Sequence, residues 1–166
     1  MRLGTIFYDD FEMLDAYGPL EMFGALGDKI ELVTIAELQN EALLDFLKRR
    51  CPRSQVTMSV CTGSALLAKA GLLDGMAATT NKMFFELARS QGDLVQWQEA
   101  ARWVDAGQYV TSSGVSAGTD MALAVIQRIF GSELAKQVMN YTEYQWHRDA
   151  ASDPFAALLN QGVVPE

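Results

Sequence analysis

Cys61 is the residue whose type and setting most readily support covalent chemistry. It stands in the run Ser59-Val60-Cys61-Thr62-Gly63-Ser64. Gln55 to Val60 is apolar and β-branched, which reads as a short buried strand. From Ser64 to Leu73 the chain is dense in Ala and Leu, with Gly71 near the end, which reads as a helix. A strand that turns sharply into a helix lifts the junction side chain above the sheet edge. It also aims the first N–H groups of the helix at whatever that side chain attacks. The helix dipole is then expected to favour the thiolate. A buried structural cysteine is the ordinary alternative; the strand–turn–helix pattern favours a nucleophile elbow.

Asp15 is the second candidate. It precedes Gly18-Pro19 in an apolar neighbourhood, although an exposed carboxylate at a helix start would account for it alone. A serine-hydrolase constellation competes. Gly114-Val115-Ser116-Ala117-Gly118 fits G-x-S-x-G between a strand and a helix, with Glu133 or Glu143 as the acid and His147, the only histidine, as the base. Five residues are a weak match, and Ser116 serves equally well as the cap of the following helix. His147, beside Trp146 and Arg148, has the setting of a surface or interface residue.

Alternating elements must position these groups. Leu3 to Tyr8 is a first strand, followed by the acidic pair Asp9-Asp10. Phe11 to Leu26 is a helix that Gly18-Pro19 should kink or restart. Lys29 to Ile35 is a second strand, and Leu38 to Arg50 an amphipathic helix that follows it almost without a loop. After the elbow helix come a turn at Leu73-Asp74-Gly75, a short strand at Met76 to Thr80 and a helix at Lys82 to Ser90. Arg102 to Asp105 and Tyr109 to Ser112 flank Ala106-Gly107 as a hairpin. Val115 to Phe130 is a nearly all-round apolar helix ending at Gly131, and Glu133 to about Tyr144 is the last. Strands alternating with helices predict a doubly wound α/β domain with a mostly parallel sheet and helices on both faces. Reactive groups then gather beyond the carboxyl ends of the strands, where Asp15, Cys61 and Gly114 would meet.

The totals agree with one such domain over residues 1–166. The chain is 49% hydrophobic and 20% charged, an ordinary globular balance. A net charge of −8 argues against nucleic acid and anionic membranes as partners. The basic cluster Lys48, Arg49, Arg50 and Arg53 falls where a helix should end and suits its dipole. Cys51 and Cys61 are too few for a disulfide framework or a zinc site. No apolar run reaches spanning length, and MRLGTIFYDD is too short and too soon acidic for a signal peptide, so the cytoplasm is the expected location.

Leu14-Asp15-Ala16-Tyr17-Gly18-Pro19, the Cys61 run, Ala70-Gly71-Leu72-Leu73-Asp74-Gly75, Ala78-Thr79-Thr80 and Thr111-Ser112-Ser113-Gly114-Val115-Ser116-Ala117-Gly118 with Asp120 together resemble the DJ-1/PfpI (ThiJ) superfamily. The L-D-x-x-G-P acid and the C-T-G-S elbow are most similar to its isocyanide (isonitrile) hydratase branch. The resemblance implies a flavodoxin-like fold, Cys61 as nucleophile and Asp15 as general acid/base. It further implies that Thr62 assists at the carboxyl or the attacking water, and that Gly63, Gly114, Val115 and Asn81 shape the pocket or oxyanion site. It implies a small electrophilic substrate, no metal or organic cofactor, and a homodimer. A DJ-1-like redox or stress sensor, or action on another electrophile by glyoxal-type or amide hydrolysis, is the alternative.

Two departures stand out. Asn81 occupies a position where many members of the superfamily carry His, and an amide cannot move a proton at neutral pH. Between about Glu37 and Leu38 the superfamily carries several dozen more residues, including a central strand and a Gly-Gly loop. A doubly wound sheet cannot lose a central strand without exposing its core, so we expect an internal segment to be missing from the sequence there.

Overall fold

A computed structural model describes residues 1–6, 12–35 and 40–160 of the chain. Tyr8, Asp9, Asp10, Phe11 and the junction between Glu37 and Leu38 lie outside the described residues.

In chain order the elements are β1 (Arg2–Ile6), α1 (Met13–Gly24), β2 (Glu31–Ile35), α2 (Asn40–Arg50), β3 (Thr57–Ser59), α3 (Gly63–Lys69) and β4 (Ala77–Ala78). They continue with α4 (Phe85–Arg89), β5 (Gln96–Trp97), β6 (Trp103–Ala106), β7 (Tyr109–Ser112), α5 (Val115–Phe130) and α6 (Ser132–Tyr141). The expected alternation of strands and helices is therefore present. β5 was not foreseen, because a two-residue strand carries no period to read.

Strand pairing is mostly parallel. β1 runs beside β2 with Arg2 opposite Glu31 and Ile6 opposite Ile35. β3 runs beside β7 with Ser59 opposite Thr111, and β4 beside β5. The expected hairpin is the antiparallel pair β6–β7, closed by Gly107 at φ 86 and Gln108, with Ala106 opposite Tyr109. Only glycine takes that φ without strain. Among the described residues the ladders form separate pieces: β1 bonds to β2, β3 bonds to β7, and no strand joins β1 to β3.

The main core lies between α1, α5 and α6 and the β3–β7–β6 piece. Phe23, Met121, Leu123, Val125 and Ile126 are each at most 1% exposed. A second core sits under α2 and α3, around Leu43, Leu47, Leu67 and Leu73. α5 spans the sixteen residues that its pattern predicts and buries nine of them.

α1 is one helical segment with Pro19 inside it, so of the kink or restart expected at Gly18-Pro19 the restart does not occur. Its packing on α5 explains why. A Cβ on Gly18 would stand 2.6 Å from Thr119 Oγ1, and one on Gly118 would stand 2.6 Å from Val60 Cγ1 and 3.4 Å from Pro19 Cγ. Glycine on each helix lets the backbones approach, and that contact holds the turn whose i→i−4 bond proline cannot make. Val60, packed against Gly118 at this crossing, immediately precedes Cys61.

Candidate active site

Cys61 is the hinge between β3 and α3 and sits at φ 56. A non-glycine residue there costs about 1 kcal/mol or more and persists only where its surroundings over-determine it. Those surroundings are present. The Cys61 N–H donates to the Ser113 carbonyl at 2.8 Å. Its own carbonyl accepts from Thr80 Oγ1 at 3.0 Å and from Ser64 Oγ at 3.2 Å. Three partners thus clamp the two peptide units that flank Cys61.

Cys61 is 8% exposed, and its sulfur meets the carboxyl of Asp15 and the amide of Asn81. Asn81 Nδ2 donates to Sγ at 3.2 Å, and Asn81 Oδ1 accepts the Met83 N–H at 2.9 Å. That second bond fixes which end of the amide faces the sulfur. The thiol also donates to Asp15. Asp15 Oδ1 is buried and has no hydrogen-bond partner among the described residues.

Burial pushes the Asp15 carboxyl up to about 6, against the lowering effect of the Cys61 hydrogen bond. Burial first, and the charge of Asp15 second, push the Cys61 thiol up to about 11. The Asn81 amide and the Thr62 backbone N–H act in the opposite direction without prevailing. This corrects the expectation of a thiolate favoured by the helix dipole: a covered sulfur beside a carboxylate keeps its proton. At neutral pH the pair holds one proton, on sulfur, with Asp15 ionised. The exposed carboxylate that would explain Asp15 by itself does not describe it, since its neighbours strip it of water.

The other predicted residues fall around this pair. The Thr62 N–H faces the sulfur, and no bond joins the Thr62 hydroxyl to Asp15 among the described residues. The Gly63 N–H turns back onto the Val60 carbonyl at 3.0 Å. Gly114 caps α5, and a Cβ there would stand 3.2 Å from Asn81 Nδ2. Val115 begins α5. Ser116 lies inside the first turn, so Gly114 and not Ser116 is the cap. Ser116 Oγ accepts from Arg102 Nη2 at 3.1 Å, and the His147 ring reaches the Ser152 carbonyl at 3.3 Å. The G-x-S-x-G serine is therefore occupied by an arginine rather than by a base.

Sequence reasoning missed a buried charge cluster behind Asn81. Arg102 Nε donates to Asp120 Oδ2 at 2.7 Å, and Asp120 Oδ1 accepts the His147 N–H at 2.9 Å. Lys82 Nζ donates to Thr79 Oγ1 at 2.8 Å and to the Ala101 carbonyl at 2.6 Å. Asp153 stands 3.8 Å from Lys82 and 3.7 Å from Arg102. A lysine and an arginine dispersed along a chain carry no spacing signal; only the fold gathers them. Among the described residues, no three His, Cys, Asp or Glu side chains are grouped to hold a metal ion.

The sequence profile of the DJ-1/PfpI family matches residues 34–128, from β2 through the elbow into α5. This chain belongs to the DJ-1/PfpI family. Isonitrile hydratase of Pseudomonas putida is 34% identical over 107 residues, which are 64% of this chain and 46% of the hydratase. The HTH-type transcriptional regulator CdhR of Pseudomonas aeruginosa is 35% identical over 98 residues, 58% of this chain and 29% of the regulator. The chain thus spans less than half the length of either curated relative. Among solved structures, a ThiJ/PfpI family protein from Pseudomonas syringae superposes with a TM-score of 0.74 at 22% identity, covering 87% of this chain and 75% of that one. Drosophila melanogaster DJ-1beta gives 0.73 at 13% identity, covering 87% and 98%. The family resemblance read from the sequence is thereby established, and so is the DJ-1/PfpI fold. Among the described residues, no helix is long and apolar enough to cross a membrane.

Proposed function

We propose that this DJ-1/PfpI protein is a cytoplasmic isocyanide-hydratase-like enzyme that converts an isocyanide to an N-substituted formamide. The observation that carries the reading is the Cys61 thiol set within hydrogen-bond reach of the Asp15 carboxyl, with an amide, Asn81, as the sulfur's other polar neighbour at 3.2 Å. Asp15 takes the thiol proton as sulfur forms a bond to the terminal carbon of R–N≡C. The protonated carboxyl then delivers that proton to the same carbon, giving the thioimidate R–N=CH–S–Cys61. Water adds to the carbon, nitrogen is protonated, and the C–S bond breaks to release R–NH–CHO and the thiol. The sum is one isocyanide plus one water. Asn81 and the Thr62 N–H stabilise negative charge on sulfur before the new bond is complete.

The similarity to Pseudomonas putida isonitrile hydratase supports this choice within the family. A redox sensor is less favoured, because peroxide attacks thiolates and this thiol is held protonated. A homodimer suits the surface beside the site. Met13, Leu14 and Tyr17 on α1 are 64%, 58% and 55% exposed, and a second copy there would cover them.

The test is incubation of purified protein with phenyl or cyclohexyl isocyanide while formamide is followed by chromatography. Wild type should turn over, Cys61→Ala should not, and Asp15→Asn should fall at least about a hundredfold. Equal formamide from all three, at the buffer rate, ends the proposal.

A further inference from the structure

A cleft of about 340 Å³ opens beside Asn81. Asn81, Ser113 and Gly114 line it; Asn81 Nδ2 donates to Cys61 Sγ, the Ser113 carbonyl accepts the Cys61 N–H, and Gly114 packs closely on Asn81. Its sides are apolar, from Met83, Val115, Ala117, Phe155 and Leu158. Its volume lies at the small end of the range for ligand sites, about 300–1,000 Å³.

The floor is different. Lys82, Arg102 and Asp153 line it, and their side chains are 1%, 6% and 0% exposed. Two of the three donors of Lys82 Nζ are used, on Thr79 and Ala101. Its ion-pair partner Asp153 Oδ2 stands at 3.8 Å, longer than an ordinary hydrogen bond. Asp153 Oδ1 accepts the Phe155 N–H at 3.0 Å, while Oδ2 is buried without a partner among the described residues. A leftover donor thus faces a leftover acceptor across a gap beside a cleft. With Asp120, the four charges cancel, so neither an anion nor a cation is preferred. One neutral group that accepts from the lysine and donates to the carboxylate satisfies both.

We propose that this cleft is the subsite for the substituent of the substrate attacked by Cys61, and that it selects a ring-sized hydrocarbon group bearing a hydroxyl, whose oxygen bridges Lys82 Nζ and Asp153 Oδ2. The assignment rests on Cys61 as the nucleophile of the proposed hydration and names the substrate class that such an enzyme would prefer. Burial pushes the Lys82 ammonium down to about 8, opposed by Asp153. A hydroxyl that accepts from it would replace part of the lost solvation.

The test measures alkylation of Cys61 and does not depend on turnover. Chloroacetamides carrying N-methyl, N-benzyl, N-(4-methoxybenzyl) and N-(4-hydroxybenzyl) groups all react by forming the S–CH2 bond and expelling chloride, with the thiol proton passing to Asp15 or water. Rates are read by peptide mass mapping and divided by each compound's rate with glutathione. The benzyl compound should exceed the methyl by about tenfold, and the hydroxybenzyl should exceed both benzyl and methoxybenzyl by about a further fivefold. Methoxy can accept but cannot donate, so that comparison reads the bond to Asp153. Leu158→Trp, which fills the mouth from a short 3-10 turn, should bring the benzyl-to-methyl ratio to about one. Asp153→Asn should remove the hydroxyl increment alone. If Asp153→Asn fails to fold, the methoxy comparison decides that point in wild type. Equal benzyl and methyl rates, or a ratio that survives Leu158→Trp, overturn the subsite. A hydroxybenzyl compound no faster than its methoxy analogue, as when a water fills the gap, overturns the hydroxyl. Ring preference in labelling without formamide formation would sink the hydratase reading alone; formamide formation without ring preference would sink the subsite alone.

Discussion

Asn81 Nδ2 lies 3.2 Å from Cys61 Sγ, while the Met83 N–H holds Asn81 Oδ1 at 2.9 Å. The amide is therefore a fixed donor to sulfur and cannot turn its oxygen inward. Its worth is greatest when sulfur carries negative charge, since a bond to an ionised partner is about twice as strong as a neutral one. Asn81→Ala should raise the thiol further and slow Cys61 alkylation about tenfold at pH 7. Asn81→Asp should slow it more, because a second carboxylate then faces the sulfur. Iodoacetamide kinetics measure both, and an Asp variant that reacts faster than the Ala variant would contradict the donor role.

The coupled pair predicts a pH profile. Asp15 is pushed up to about 6 and Cys61 up to about 11. Below about 6 both groups carry protons, and Asp15 cannot take one from sulfur. Alkylation and turnover should therefore rise through an apparent pKa of about 6, and turnover should fall again only near 11, where the pair has lost its last proton. Asp15→Asn should abolish the limb near 6. A profile whose acid limb persists unchanged in Asp15→Asn would assign that limb elsewhere.

Stability should move in the opposite direction to activity. A carboxyl with a folded value near 6 and an unfolded value near 3.8 binds more protons in the folded state between those two values. Stability is then lost as pH rises from about 4 to 6 and stays lost at pH 7. Asp15→Asn removes that loss and should stabilise the protein at pH 7 by about 1–3 kcal/mol, toward the lower figure because the group is partly solvated. At pH 4 the two proteins should unfold at similar denaturant concentrations. Urea titrations at both values measure the difference, and no gain at pH 7 would mean that the carboxylate is better compensated than its buried, unpartnered Oδ1 implies.

Much of this site was legible in the chain because chemistry and local structure share a short run there. The Cys61 turn, Gly114 and the start of α5 at Val115 could be read from strand-to-helix switches within a few residues. The protonation state could not. It depends on how far Asp15, forty-six positions earlier, is stripped of water, and on the amide end of Asn81. Nor could α1 be read through Pro19, since its continuity is fixed by a glycine on another helix. The Lys82–Arg102–Asp120–Asp153 cluster was invisible for the same reason: its members meet only across the fold.

The crossing of α1 and α5 couples packing to the elbow. A Cβ at Gly118 would stand 2.6 Å from Val60 Cγ1 and 2.9 Å from Cγ2. Gly118→Ala should cost about 1–3 kcal/mol and displace Val60, and with it the strained Cys61. Val60→Ala in the same chain removes the clash, so the double variant should recover alkylation kinetics more fully than it recovers stability. Independent, additive losses in the two single variants would show that the crossing does not set the elbow.

The break between β1 and β3 makes the last prediction. Each strand is paired along one edge among the described residues, β1 with β2 and β3 with β7, and no ladder connects them. Unpaired edges inside a doubly wound sheet leave backbone groups unsatisfied and invite another strand. A missing internal segment near Glu37 and Leu38 would supply that strand, consistent with a chain that covers 46% of its Pseudomonas putida relative. A tryptic digest of the protein taken from its source should therefore lack the contiguous peptide from Ile30 to Lys48, and the intact mass should exceed 18.3 kDa. Recovery of that peptide unbroken would mean that the split sheet is the native state. The exposed edges should then bind a second copy of the chain, and dilution should destabilise the protein.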